Sequence, residues 1–217
     1  MTVLIFANGE LSEGAWIQSH FQNASVIIAA NGGVRHLQEM GLTPDLIIGD
    51  LDSADIKLID SLVQGGARTI RHRADKDETD LELALLYAQQ YFDEPILVFG
   101  ATGGRIDHSL ANLMLLAHPD LLNLNISYID LAYRIWIVHG FTSITGEPGD
   151  IISLIPVNGK AFVGTTSGLR WPLNNETLDF GLTRGVSNEL TDQLAEIEIV
   201  SGIIICIHTK KRIYPFE

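Results

Sequence analysis

Two acidic clusters carry the side chains best suited to chemistry: Gly49-Asp50-Leu51-Asp52-Ser53, and Asp75-Lys76-Asp77-Glu78-Thr79-Asp80 a short way downstream. Each follows an apolar run that reads as a strand. In an extended segment Asp50 and Asp52 project to the same side. At i,i+3 on a helix, Asp77 and Asp80 share a face. Packed carboxylates repel one another unless something positive stands between them. For an all-oxygen donor set that partner is Mg²⁺, a hard cation that brings phosphates with it. Taken singly, such acids are solvated loop residues or helix caps. Two clusters at strand ends, where open α/β sheets bind their ligands, point to a site instead.

The elements that must position these acids follow from periodicity. Apolar runs at Val3–Ala7, Ser25–Ala30, Asp45–Gly49, Ala67–His72, Pro95–Gly100 and Asn125–Asp130 read as strands. Several are apolar nearly throughout, as in a parallel sheet covered on both faces. Between them lie helical patterns: Leu81, Ala84, Leu85 and Ala88 form one stripe, and Ile106, Leu110, Leu113, Met114 and Ala117 a second. Ser53 and Thr79 are candidate N-caps. Alternating strands and helices predict an open, mostly parallel, doubly wound sheet over residues 1–130. From 131 to 217 the texture changes to β-type runs broken by Gly140, Gly146-Glu147-Pro148-Gly149, Asn158-Gly159, Asn174-Asn175 and Ser201-Gly202. This predicts a smaller all-β antiparallel sandwich or barrel as a second domain.

Glycines punctuate the same strand ends. Asn8-Gly9, Asn31-Gly32-Gly33 and Gly100-Ala101-Thr102-Gly103-Gly104-Arg105 follow three of the strands, and the last two open helices. Glycine lets backbone N–H groups approach phosphate, and a helix N-terminus favours an anion. Neither the Walker A pattern nor Gly-x-Gly-x-x-Gly is present. Each turn alone could be a simple helix entry; both, on one edge with two acidic clusters and Arg105, predict Mg²⁺-dependent chemistry on a nucleoside triphosphate. Asp107 and His108 open the helix after Arg105. Their use is either dipole compensation and capping, or contact with the nucleotide.

Composition narrows the classes. The chain has 217 residues, and 14 basic against 27 acidic residues give a net charge of −13. That argues against nucleic-acid binding, which needs basic patches. No apolar run approaches the ~20 residues of a membrane span. The N-terminus lacks a basic leader, so a cytoplasmic location is expected. The single cysteine, Cys206, lies in Ile203–Ile207 and reads as an inert core thiol. The histidines show no zinc spacing.

At Pro44–Ser53, Lys76–Leu85 and Gly100–His108 the chain closely resembles the thiamine pyrophosphokinase family. Ser153–Val157, Thr166–Leu173 and Gly185–Asn188 resemble that family's C-terminal motifs. The resemblance implies transfer of the pyrophosphoryl group of ATP to the hydroxyl of thiamine, giving thiamine diphosphate and AMP. By residue, it implies Asp50, Asp52, Asp77 and Asp80 as the catalytic set, with Asp50, Asp52 and Asp80 as Mg²⁺ ligands and Asp77 beside them. Asn31, Gly32, Gly33, Thr102, Gly103, Gly104 and Arg105, with Asp107 and His108, would hold ATP. Trp171, Ser187 and Asn188 would face thiamine, near the interface of a homodimer. One departure stands out: the family usually has Asp before the Gly-Gly pair, where this chain has Asn31. Two alternatives remain at this point. One is a pyrophosphokinase acting on another heterocyclic alcohol, such as a hydroxymethylpterin. The other is a non-catalytic nucleotide- or thiamine-binding protein.

Overall fold

A computed structural model describes residues 1–12, 14–51 and 56–213. The chain divides into two compact units, Met1–Asp130 and Leu131–Glu217. The first unit carries strands β1 (Thr2–Phe6), β2 (Ala24–Ala30), β3 (Leu46–Gly49), β4 (Arg68–Arg71), β5 (Ile96–Phe99) and β6 (Ile126–Ile129). Its helices are α1 (Gln18–Phe21), α2 (Val34–Glu39), α3 (Ile56–Gln64), α4 (Asp80–Tyr91) and α5 (Ile106–Leu115), with single 3₁₀ turns at Ala15–Ile17 and Asn31–Gly33.

All six strands pair in parallel, in the order β6-β5-β1-β2-β3-β4. The chain therefore winds outward from β1 to β4, then returns to the other side of β1 for β5 and β6. That reversal places a crevice beyond the carboxyl ends of β1 and β5. Apolarity explains why β1 is central: Val3, Leu4, Ile5 and Phe6 are fully buried. At the edge, β4 exposes Arg68, Thr69 and Arg71, charged and polar groups that discourage further pairing. Helix α4 starts where Thr79 caps it, accepting the Glu82 N–H at 3.2 Å, with Asp80 and Glu82 in the first turn. Its stripe of Leu81, Ala84, Leu85 and Ala88 is buried.

Three expectations need correction here. Asp77 does not share a helical face with Asp80, because the Thr79 cap starts the helix one residue later and leaves Asp77 exposed ahead of it. The extended run expected after β3 does not continue through Leu51, whose φ of 58° is a left-handed conformation that turns the chain. Along α5 the helical period is right, but Ile106, Leu110 and Met114 are 82%, 58% and 42% exposed, and Ala117 lies past the helix end.

The second unit is antiparallel: β7 (Tyr133–Val138), β8 (Phe141–Thr145), β9 (Ile151–Ser167), β10 (Glu176–Leu178), β11 (Asn188–Glu189) and β12 (Leu194–Thr209). The order is β10-β9-β12-β7, with β8 also on β12 and β11 on β9. Two long strands replace the short runs expected from the turn signals. Asn158-Gly159 and Ser201-Gly202 do not reverse the chain; they lie within β9 and β12, where the ladder shifts register. Such bulges bend a strand. Accordingly β12 pairs with β8 through residues 194–198 and with β7 through 204–209. The core joins Trp136, Ile152, Leu154, Val163, Ile197, Ile204 and Cys206. Burial raises the Cys206 thiol pKa, so this thiol is inert. At the end of the sheet, buried Asp150 meets the His208 ring Nε2 at 2.8 Å and accepts the N–H groups of Glu147 and Lys211 at 3.1 Å each.

Candidate active site

The loops leaving β1, β2, β3 and β5, together with the start of α4, enclose a cavity of ≈ 500 Å³ in the first unit. Asn31 lies at its centre. It follows β2 with φ 43°, a left-handed conformation that asparagine tolerates, and it is nine-tenths buried. Its Nδ2 donates to Asp50 Oδ1 and to Asp80 Oδ2, both at 2.9 Å. One amide therefore ties the end of β3 to the first residue of α4. The approach requires glycine at position 49: a Cβ there would lie 2.7 Å from Asn31 Cβ and 3.1 Å from Asp80 Oδ1. Asp80 has a second partner, because Lys76 Nζ lies 2.5 Å from its Oδ1, with the lysine side chain only 13% exposed.

The opposite wall is the glycine turn after β5. Asn112 of α5 donates to the Ala101 carbonyl at 2.7 Å, and Ser109 Oγ accepts the Gly103 N–H at 3.0 Å. The N–H of Gly104 meets Glu10 Oε1 at 3.2 Å, so this turn already holds one carboxylate oxygen. The turn after β1 is stitched to it: Gly9 N donates to Gly100 O at 2.7 Å, and Glu10 N to Thr102 O at 2.8 Å. From α2, Arg35 donates to Asn8 Oδ1 at 2.9 Å, and buried His36 meets the Gly9 carbonyl at 2.9 Å. Because a carbonyl only accepts, Nε2 carries the proton. Burial, then the neighbouring Arg35, holds the His36 pKa below its usual value, so the ring is neutral at pH 7.

Of the sequence-derived positions, Asp50, Asp80, Asn31, Gly32, Gly103, Gly104, Arg105 and His108 line the cavity. Gly33, Thr102, Asp77 and Asp107 are not on its wall. Gly33 serves packing, since a Cβ there would fall 1.9 Å from the Phe6 carbonyl oxygen. Asp107 holds Arg105 through contacts of 3.1 and 2.5 Å, and that guanidinium lowers its carboxyl pKa to about 2. Asp52 and Ser53 lie outside the described residues. Among the described residues no three His, Cys, Asp or Glu side chains form a metal-binding group. The carboxylate oxygens of Asp50 and Asp80 are the donor type that suits Mg²⁺.

In the second unit, Trp171 is 48% exposed, with Arg170 Cζ 5.0 Å from its ring centroid. Asn188 is buried and clamps the tryptophan backbone: Oδ1 accepts the Trp171 N–H at 3.0 Å and Nδ2 donates to its carbonyl at 2.6 Å. Its amide is therefore committed to holding Trp171. Ser187 is exposed with φ 59°, and its N–H donates to Ser153 Oγ at 3.1 Å. Sequence reasoning missed Lys76, Ser109 and Asn112. Lys76 was legible only as the one cation inside an acid run; nothing marked the other two.

Comparison with known proteins bears on both units. The family model described as thiamin pyrophosphokinase, catalytic domain, matches residues 17–128. The model described as thiamin pyrophosphokinase, vitamin B1 binding domain, matches residues 141–204. Thiamine pyrophosphokinase from Bacillus subtilis is 30% identical over 210 residues, covering 96% of this chain and 98% of the relative. Thiamine pyrophosphokinase 2 from Arabidopsis thaliana is 33% identical over 187 residues, covering 80% and 68%. The crystal structure of the Bacillus subtilis protein superposes with a TM-score of 0.84 over 97% of this chain and 99% of that one. Yeast thiamin pyrophosphokinase, at 18% identity and a TM-score of 0.80, shares the fold.

Proposed function

Because the chain belongs to the thiamine pyrophosphokinase family, we propose that it is the ATP:thiamine pyrophosphotransferase its relatives are named for. It makes thiamine diphosphate and AMP. The observation that carries this reading is the convergence of Asp50 and Asp80 on one buried amide, facing a glycine turn across a single cavity. The relatives reported above are all named for thiamine, none for a pterin or for binding alone.

Asp50 and Asp80, with Asp52 two residues after Asp50 in sequence, would hold Mg²⁺. When bound, that ion would neutralise charge on the phosphate oxygens. The Gly104 N–H and the Arg105 guanidinium bind and orient the triphosphate, the fork geometry of arginine giving paired hydrogen bonds. Ser109 and Asn112 keep that turn in place. The thiamine hydroxyl oxygen forms a bond to the β-phosphorus as the bond from that phosphorus to the oxygen of AMP breaks, and the hydroxyl proton leaves to an aspartate of the cluster. Catalysis here is mainly orientation and charge neutralisation. Trp171 offers a ring face to the cationic thiazolium, and Asn188 positions that ring. The working form is a homodimer located in the cytoplasm, with the thiamine site near the subunit interface; the exposed apolar row on α5 is compatible with a partner copy.

Incubation with ATP, Mg²⁺ and thiamine tests the reading. AMP with thiamine diphosphate is the expected product pair. ADP with thiamine monophosphate, or no turnover, would overturn it.

A further inference from the structure

We propose that Lys76 is the resident counter-ion of this site and a phosphate contact in waiting: paired with Asp80 in the metal-free state, it passes to the triphosphate once a divalent cation takes Asp80. The inference rests on the nucleotide reading above.

Four observations support it. Lys76 Nζ is 2.5 Å from Asp80 Oδ1, and both side chains are largely sheltered, at 13% and 24% exposure. The other oxygen of Asp80 is engaged by Asn31, so a cation that ligates Asp80 meets a donor already present at either oxygen. Asn31 is a neutral amide and can remain beside a divalent ion. An ammonium cannot share a carboxylate oxygen with one without strong like-charge repulsion. Lys76 and Arg105 are the lysine and arginine side chains on the cavity wall among the described residues. Arg105 is already engaged by Asp107 and is 72% exposed, which leaves Lys76 as the sheltered positive charge. A four-carbon stem with three freely rotating donors can follow a phosphate a few ångströms away.

A plain ion pair at i,i+4 would tether the start of α4 and do nothing more. Lys76→Met separates the two roles through Mn²⁺ binding to the nucleotide-free protein and Mg²⁺-dependent binding of α,β-methylene ATP, which cannot release AMP. The expected shifts are of opposite sign. Mn²⁺ alone binds about tenfold tighter, because its competitor is gone, and the nucleotide analogue binds about tenfold weaker. Unchanged analogue binding, or two shifts of the same sign, overturns the proposal. Lys76→Arg keeps the charge, so Mn²⁺ affinity should stay within about twofold of the parent value; tightening there also overturns it. If Lys76→Met does not fold, the arginine variant decides alone. Neither binding assay contains thiamine. A parent protein that makes no AMP therefore refutes the pyrophosphokinase reading. Absence of opposite shifts in a parent that does make AMP refutes only the role of Lys76.

Discussion

Asn31→Asp adds a charge at the centre of the site with little other change. Aspartate accepts the left-handed backbone at this position nearly as well as asparagine. The side chains have the same shape, so the perturbation is electrostatic. In the parent, one nitrogen donates to two carboxylates at 2.9 Å each. Hydrogen bonds to charged acceptors contribute about 1.5–3 kcal/mol apiece. Replacing the amide by an oxygen anion removes both and sets a third negative charge against two others. At ~4 Å and an effective dielectric near 20, each such contact costs about 4 kcal/mol before relaxation. Asp50 and Asp80 are only partly enclosed, so their rotation and water relieve most of this. A net loss of roughly 2–4 kcal/mol is expected without metal, a large part of a typical 5–15 kcal/mol stability. For a chain of this size that corresponds to a fall in melting temperature of roughly 5–15 °C. Mg²⁺ should return much of it, because three carboxylates bind a divalent cation better than two. The assay is thermal unfolding in EDTA and in saturating Mg²⁺. A variant that melts with the parent in EDTA, or gains no more than the parent from Mg²⁺, would refute the view that Asn31 holds the acids together as a neutral donor.

Further outcomes follow from individual contacts. Gly49→Ala forces a Cβ to 2.7 Å from Asn31 Cβ at φ 155°, so it should lose about 2–4 kcal/mol in urea unfolding and weaken Mn²⁺ binding; parent-like values for both would refute the tight approach of β3 to Asn31. Trp171→Ala should weaken thiamine binding by about 0.5–2 kcal/mol and leave ATP-analogue binding unchanged. Mixed with inactive Asp80→Asn chains under proven subunit exchange, it should regain activity; no recovery rejects a site shared between chains. Asp150→Asn tests the buried pair with His208. Burial pushes the Asp150 pKa up, but three hydrogen bonds outweigh it and hold the value below the ordinary 3.8. The stabilisation is then fully present above about pH 4 and lost as pH falls through the depressed value. The variant should be about 1–3 kcal/mol less stable at pH 7, with less acid dependence in urea melts between pH 5 and 2; an unchanged acid limb refutes the assignment.

The parallel sheet was legible because its strands other than the edge strand β4 are largely buried and apolar nearly throughout, which left their ends within about a residue of the expected positions. The convergence of Asp50 and Asp80 was legible because strand ends of one sheet gather on one edge. Harder to read was anything set by a single dihedral. Leu51 at φ 58° ends the extended run right after Asp50, and the Thr79 cap cuts Asp77 out of the helix. Asn158-Gly159 and Ser201-Gly202 carry turn chemistry, yet long-range pairing absorbs them as bulges in continuous strands. Asn188 was expected to face the ligand, and its amide is occupied by the Trp171 backbone. In the last two cases residue type limited the local options, and a partner distant in sequence selected among them.

Charge explains why an acid-rich chain can handle a polyanion. With a net charge of −13 the whole molecule repels a triphosphate at long range. Binding must therefore be won inside the cavity. There the arrangement limits its own negative charge at each step. Asn31 supplies hydrogen bonds where an acid would add a third charge, Lys76 offsets Asp80, and Asp107 fixes the orientation of Arg105 from outside the cavity wall. Glu10 shows that the Gly104 N–H donates to an anionic oxygen. A phosphate reaching that turn would displace one carboxylate contact and would not have to create a binding geometry anew. On the reading proposed above, the same economy would make a divalent cation the partner of the acids, its entry freeing the Lys76 ammonium for the phosphate. Positive charge would then be added to the site in step with the negative charge that ATP brings, and neither arrives uncompensated.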